Sequence, residues 1–192
     1  MATMEAILAR REARQELRTL LHEEYKRPVM VFTLNIPGKE KNSDRYIKTH
    51  KYGEKILIGS LREQNIEILR TSIVYGVCGR EALFVARSAP RVLKEICTSL
   101  EDSHPLGRIF DIDVYDTRGT ALHRSELGKK PRPCFLCEEP AAECARSGQH
   151  EAVDLLNYID ERIDSFFNEP SKRRHRQDGP PDFPAHPSFL EL

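Results

Sequence analysis

Over residues 2–24 the apolar positions Ile7, Leu8, Leu17, Leu20 and Leu21 fall at helical spacing, which predicts an amphipathic helix. Residues 28–35, rich in Val, Met, Phe and Thr, predict a strand that the pair Pro37-Gly38 ends. Ser43 fits an N-cap, and Tyr46, Ile47, His50, Ile56, Leu57 and Leu61 carry a long helix to about residue 63. Gly53 lies inside that helix and weakens it locally. Residues 65–75 and 81–86 predict a second and a third strand, divided by Gly76 and Gly79. A second long helix follows over 89–100, with Val92, Leu93, Ile96 and Cys97 along one side. Residues 108–115 predict a fourth strand, 116–119 a hairpin turn, and 120–123 a short return.

The order strand, helix, strand, strand, helix, strand predicts an α+β fold with a ferredoxin-like, split βαβ core. Two helices cover one face of such a sheet and leave the other open unless another element covers it. The N-terminal helix or the C-terminal segment could wall a cleft there. After Leu127 the texture changes. Residues 128–133 form a basic, proline-containing connector and 134–150 a compact cysteine-rich unit. A last amphipathic helix over 153–167 carries Leu155, Leu156, Ile159, Ile163 and Phe166. Residues 1–167 are expected to form a single domain with the 134–150 unit packed on it. Residues 168–192, polar and proline-rich with a basic run at 172–176, read as a disordered tail.

The fourth strand carries the candidate chemistry. Side chains alternate across a strand, so Phe110, Ile112 and Val114 point toward a core, while Asp111 and Asp113 share the other face. Two carboxylates about 7 Å apart repel by roughly 0.6 kcal/mol in water and by about 2.4 kcal/mol at an effective dielectric near 20. A divalent cation would turn that repulsion into a ligand pair. An Asp-x-Asp also suits a merely polar outer strand face. His104, Arg108, Arg124, Lys129, Lys130 and Arg132 lie near it in sequence. Carboxylates for Mg²⁺ and cations for phosphate oxygens are the mix that a polyphosphate needs. The arginines of the first helix, Arg10, Arg11, Arg14 and Arg18, form either a solvated face or a set from which one or two turn inward to phosphate.

A second group is Cys134-x2-Cys137-x6-Cys144-x5-His150. Three thiols and an imidazole complete a tetrahedral zinc set, whose filled coordination implies a structural role. The other reading is three reduced thiols and a helix-capping histidine. Cys78 and Cys97 read as core residues. Five cysteines, three of them clustered, fit a reducing compartment better than a disulfide framework.

With 30 basic and 30 acidic residues, net charge gives no push toward nucleic acid or acidic membranes. No apolar run approaches the length of a membrane span. Arg10, Arg11, Glu12 and Arg14 stand where a signal peptide needs its apolar segment. A cytoplasmic protein with no nucleic-acid or membrane partner is expected.

Ser103-His104-Pro105-Leu106-Gly107-Arg108, running into Asp111-Ile112-Asp113-Val114, resembles the signature of the citrate lyase holo-acyl-carrier-protein synthases. So do Pro131-Arg132, Cys134, Leu136-Cys137, Ala141-Ala142, Cys144-Ala145-Arg146 and His150, together with Phe32-Thr33, Pro37-Gly38, Lys41 and residues 154–157. The resemblance covers about residues 5–167. Phe110, His123 and Pro133 depart from the family pattern, and none of them is a proposed ligand.

The resemblance implies an apo-citrate lyase phosphoribosyl-dephospho-CoA transferase, a nucleotidyltransferase. Its donor would be 2'-(5''-triphosphoribosyl)-3'-dephospho-CoA and its acceptor a serine of the acyl carrier protein (gamma) subunit of citrate lyase, with diphosphate leaving. Asp111 and Asp113 would then hold Mg²⁺, and Arg108, Arg124, Arg132, His104 and Arg14 would bind the triphosphate. The zinc expectation rests on spacing and not on the resemblance. Two alternatives stand beside this reading: a zinc-stabilised, non-catalytic binding module, and the equivalent transferase for the malonate decarboxylase carrier protein.

Overall fold

The computed structural model describes residues 4–38, 41–76 and 79–169. Cys78 and the tail from residue 170 lie outside these. The elements run α1 (Met4–Tyr25), β1 (Val29–Leu34), α2 (Asp44–Glu63), β2 (Ile68–Gly76), β3 (Gly79–Ala86), α3 (Pro90–Ser103), β4 (Phe110–Tyr115), α4 (Ala141–Ser147) and α5 (Ala152–Asn168). Short 3-10 turns occupy Gly107–Ile109 and Arg124–Leu127. The architecture is mixed α/β, built on one four-stranded sheet in the order β2-β3-β1-β4 with every neighbouring pair antiparallel. Among the described residues no helix is long and apolar enough to cross a membrane.

Strand alternation sorts the two faces of the sheet. Met30, Phe32, Ala82, Phe84, Phe110, Ile112 and Val114 point into the larger core. Leu57 and Leu61 of α2, Leu93 and Cys97 of α3, and Ile159, Ile163 and Phe166 of α5 close that core. The last helix therefore joins the same layer as α2 and α3. Arg45 of α2 fixes it there, pairing with Asp160 at 2.5 Å and Asp164 at 2.8 Å. The opposite face carries Val29, Val31, Leu83 and Val85, and α1 covers it with Leu17 and Leu21. Leu8 and Leu20 stay exposed. Much of the contact on that side is polar. Arg10 and Arg14 turn inward to Glu81 of β3, at 3.0 and 3.3 Å, and Glu81 is buried. Arg18 lies over the Tyr115 ring, 3.8 Å from its centre.

Ser43 caps α2, accepting from the Tyr46 backbone N–H. Gly53 has a purpose beyond its weak helix propensity. A Cβ there would stand 2.5 Å from Phe32 Cζ and 2.8 Å from Phe110 Cε1, so the glycine lets α2 lie directly on the two sheet aromatics. Gly53→Ala is expected to lower stability by about 1–3 kcal/mol, because overpacking outweighs the gain in helix propensity. Denaturant unfolding reads this directly; an unchanged or raised midpoint would show that the rings can move aside.

Candidate active site

β4 is an edge strand of the sheet, paired with β1 on one side; at its C-terminal end Tyr115 bridges to Ala121 and the Val114 carbonyl accepts the Leu122 N–H at 2.8 Å. Its other edge meets charged side chains from α3. Lys94 Nζ donates to the Ile112 carbonyl at 3.3 Å, and the Ile112 N–H donates to Glu101 Oε1 at 2.9 Å. Lys94 and Glu101 lie two helical turns apart on one face of α3, so both reach the same residue of the strand. They satisfy backbone groups that an open edge would leave free for pairing with another chain. Both residues are buried.

Asp111 and Asp113 stand on the α1 side of the sheet, opposite Thr33 and Val31 of β1. They open into a cavity of about 330 Å³ at the β4 edge. Its wall includes Lys94, Glu101, Arg124, Lys129 and Arg132. Arg132 reaches across, its Nη1 donating to the Phe110 carbonyl at 2.7 Å and its Nη2 bonding Asp111 Oδ1. Thr33 Oγ1 donates to Asp111 Oδ2 at 3.5 Å. Arg124 joins Glu101 Oε2 at 2.9 Å and Asp102 Oδ1 at 2.5 Å, and Lys129 joins Asp102 at 2.7 Å.

Crowding by protein raises the Asp113 pKa above the usual aspartate value, and the Asp111 carboxylate raises it further. Burial likewise raises Glu101, against the opposing pull of Arg132, the Ile112 N–H and Lys94. A pair of carboxylates that resist sharing negative charge, one of them open to solvent, fits a divalent cation.

Asp111, Asp113, Arg124 and Arg132 thus come together in one cavity. The other expected phosphate ligands do not line it. Arg14 is held by Glu81 on the same side of the sheet, near enough to act electrostatically on Asp113. Arg108 donates to the Pro133 carbonyl at 2.8 and 2.5 Å and lies over Phe135, 4.1 Å from the ring centre, which ties it to the cysteine unit. His104 stands on the helix side of the sheet. It stacks on Phe110 at 5.3 Å, meets Tyr52 Oη at 3.3 Å through Nε2, and accepts the Leu106 N–H on Nδ1 at 3.0 Å. Those contacts build the turn between α3 and β4. Gly107 completes that turn: a Cβ would stand 2.5 Å from the carbonyl oxygens of Leu100 and Glu101.

Lys94 and Glu101 were missed by sequence reasoning. Their signal was present, since both interrupt the apolar stripe of α3 formed by Leu93, Cys97 and Leu100. Glu81, buried on a strand just before the apolar run at residues 82–86, gave a similar signal.

Cys134, Cys137, Cys144 and His150 converge, with one ligand atom from each lying within 4.8 Å of all the others. Cys134 and Cys144 sulfurs are 3.4 Å apart. Burial would raise the Cys134 thiol, but the Leu136 N–H and the neighbouring thiols outweigh it and lower its pKa. His150 Nε2 is buried without a hydrogen-bond partner. A buried imidazole nitrogen without a hydrogen-bond partner, converging with three sulfurs, makes a donor set that could hold a metal ion.

A family model described as apo-citrate lyase phosphoribosyl-dephospho-CoA transferase matches residues 2–166. Among curated relatives, a protein of that name from Escherichia coli O139:H28 (strain E24377A / ETEC) is 32% identical over 163 residues, covering 85% of this chain and 87% of its own. One from Shigella boydii serotype 18 (strain CDC 3083-94 / BS512), with the same name, shows the same identity and coverage.

Proposed function

The chain belongs to the apo-citrate lyase phosphoribosyl-dephospho-CoA transferase family, and on that basis we propose that it attaches the phosphoribosyl-dephospho-CoA group to the acyl carrier (gamma) subunit of apo-citrate lyase. The donor is 2'-(5''-triphosphoribosyl)-3'-dephospho-CoA. A carrier serine oxygen bonds to the α-phosphorus, the bond from that phosphorus to the bridging oxygen breaks, and diphosphate leaves with the electron pair. The serine proton passes to solvent or to a carboxylate of the site. The observation that carries this reading is the meeting of a carboxylate pair with Arg124, Lys129 and Arg132 in one cavity.

Asp111 and Asp113 are the residues that would hold Mg²⁺. Bound there, the ion would neutralise charge on the triphosphate and on the departing diphosphate. Arg132 and Arg124 would bind the outer phosphates, their guanidinium forks being suited to phosphate oxygens. Arg14 contributes a positive field from α1. Arg108 and His104 position the turn and the connector that frame the cavity. Zinc is the ion that three thiolates and one imidazole suit, with four ligands and no open position. The strand order and the antiparallel pairing support a ferredoxin-like reading of the core.

Mass spectrometry of the apo carrier, incubated with enzyme, donor and Mg²⁺, tests the assignment. The citrate lyase carrier is expected to gain one phosphoribosyl-dephospho-CoA unit on serine, with one diphosphate released. Modification of a malonate decarboxylase carrier in its place would overturn the choice of acceptor, and modification of neither would overturn the activity.

A further inference from the structure

The cysteine unit and the cavity meet at one residue. Arg132 precedes the first metal-ligand candidate by two positions, and its side chain crosses the cavity to Asp111 and to the Phe110 carbonyl. Its main chain is held from the other side. The Ala141 N–H, at the start of α4, donates to the Arg132 carbonyl at 2.9 Å. Pro133 and Pro140 form an isolated bridge, and the Cys134 N–H donates to the Glu139 carbonyl at 2.7 Å. The segment 132–141 is therefore a closed loop whose ends are pinned by Cys134 and by the helix carrying Cys144. Few apolar contacts hold this loop. Phe135 packs against the larger core and on Tyr158, with ring centres 6.0 Å apart, and Leu136 is exposed. Arg108 holds it from one side, through the Pro133 carbonyl and the Phe135 ring, and a metal bound to four side chains would constrain both of its ends.

We infer that the Cys134, Cys137, Cys144 and His150 centre is a metal latch that sets Arg132 against Asp111 in the reaction cavity. Four ligands drawn from two chain segments fix the loop, the loop fixes the Arg132 backbone, and the guanidinium then orients one carboxylate of the proposed Mg²⁺ pair. Arg132 is thus a positioning residue as well as a phosphate ligand. The catalytic half of this inference rests on the transferase reading; the metal half does not.

The test uses the full chain, with zinc as the probe. Elemental analysis is expected to find one zinc per chain in the purified protein. Cys137→Ser should lose it, with Tm falling by more than about 5 °C. Amide exchange across residues 132–141 should accelerate, that of Ala141 included. Transfer should drop about 10²-fold, the effect of displacing a reacting group by an ångström. Cys137→His, which keeps a ligand, should restore zinc, exchange protection and most of the transfer. Arg132→Met should keep zinc, with a Tm lowered only by the lost pairs to Asp111 and Glu101, yet lose transfer to a similar degree, and adding Cys137→Ser to it should cost little further activity. Metal-free wild-type protein overturns the centre. A zinc-free Cys137→Ser with wild-type exchange at Ala141, or with wild-type transfer, overturns the latch. Should even the wild type modify no carrier, the transferase reading fails, while zinc content and exchange still decide whether the metal fixes the loop.

Discussion

Asp113→Asn is expected to reduce transfer by roughly 10³-fold, the scale of losing a preorganised group that stabilises reacting charge, while leaving Tm within about 2 °C. The substitution keeps the shape of the side chain and removes its charge. Asp113 faces solvent, and no ion pair or hydrogen bond among the described residues depends on it. Its pKa is raised by crowding and then by Asp111, so the fold gains nothing from its charge. The charge is held in place against a local cost, as at sites where it serves chemistry. Steady-state rates at saturating donor, with Mg²⁺ varied, separate the effects. A fall in kcat with a raised Mg²⁺ requirement assigns Asp113 to the metal, whereas full activity would remove it from the site. Asp111→Asn should lose transfer as well but behave differently in stability, because Asp111 also pairs with Arg132.

The run of elements from β1 to β4 was legible because each had a simple period and clear punctuation. Ser43, Pro37-Gly38 and the alternation at Phe110–Tyr115 stand where helix start, strand end and edge strand occur. That alternation also placed Asp111 and Asp113 on one face. Other features depend on tertiary contact and leave a weak or misleading trace. Leu8 and Leu20 looked like core positions, yet α1 meets the sheet through Leu17, Leu21 and inward-turned arginines. A charge pattern cannot say that Arg10 and Arg14 have a buried Glu81 as their shared partner. The period of α5 gave its apolar side but not the layer it would join. Gly53 reads as a defect by propensity and proves to be a close approach of helix to sheet. His104 sits in the most distinctive motif of the chain, but the turn directs its ring to the aromatic core. Short sequence distance to the aspartates was misleading there, because the strand separates the two sides of the sheet.

Glu101→Ala is expected to show the reverse of Asp113→Asn, with the larger loss in stability. The Glu101 side chain is 3% exposed and makes contacts in three directions. Its Oε1 accepts the Ile112 N–H at 2.9 Å, its Oε2 meets Arg124 at 2.9 Å, and Arg132 lies 3.6 Å away. Truncation would orphan a backbone donor on the β4 edge and leave two guanidinium groups, 18% and 21% exposed, facing a void. Removing one partner of a buried pair costs about 3–5 kcal/mol, and the partial exposure of both arginines points to the lower end. For a chain of this length that corresponds to a Tm fall of roughly 10 °C. Burial already raises the Glu101 pKa, so the ion pair itself adds little, and the loss comes from the groups left behind. Glu101→Gln retains an acceptor for the Ile112 N–H and should therefore lose less than half as much. Thermal unfolding of the two variants decides this. Equal losses would show that charge alone matters, and wild-type stability in Glu101→Ala would show that water can replace the carboxylate at the strand edge. Transfer should fall in both variants in step with the loosening of Arg124 and Arg132, the two cations that Glu101 holds over the cavity.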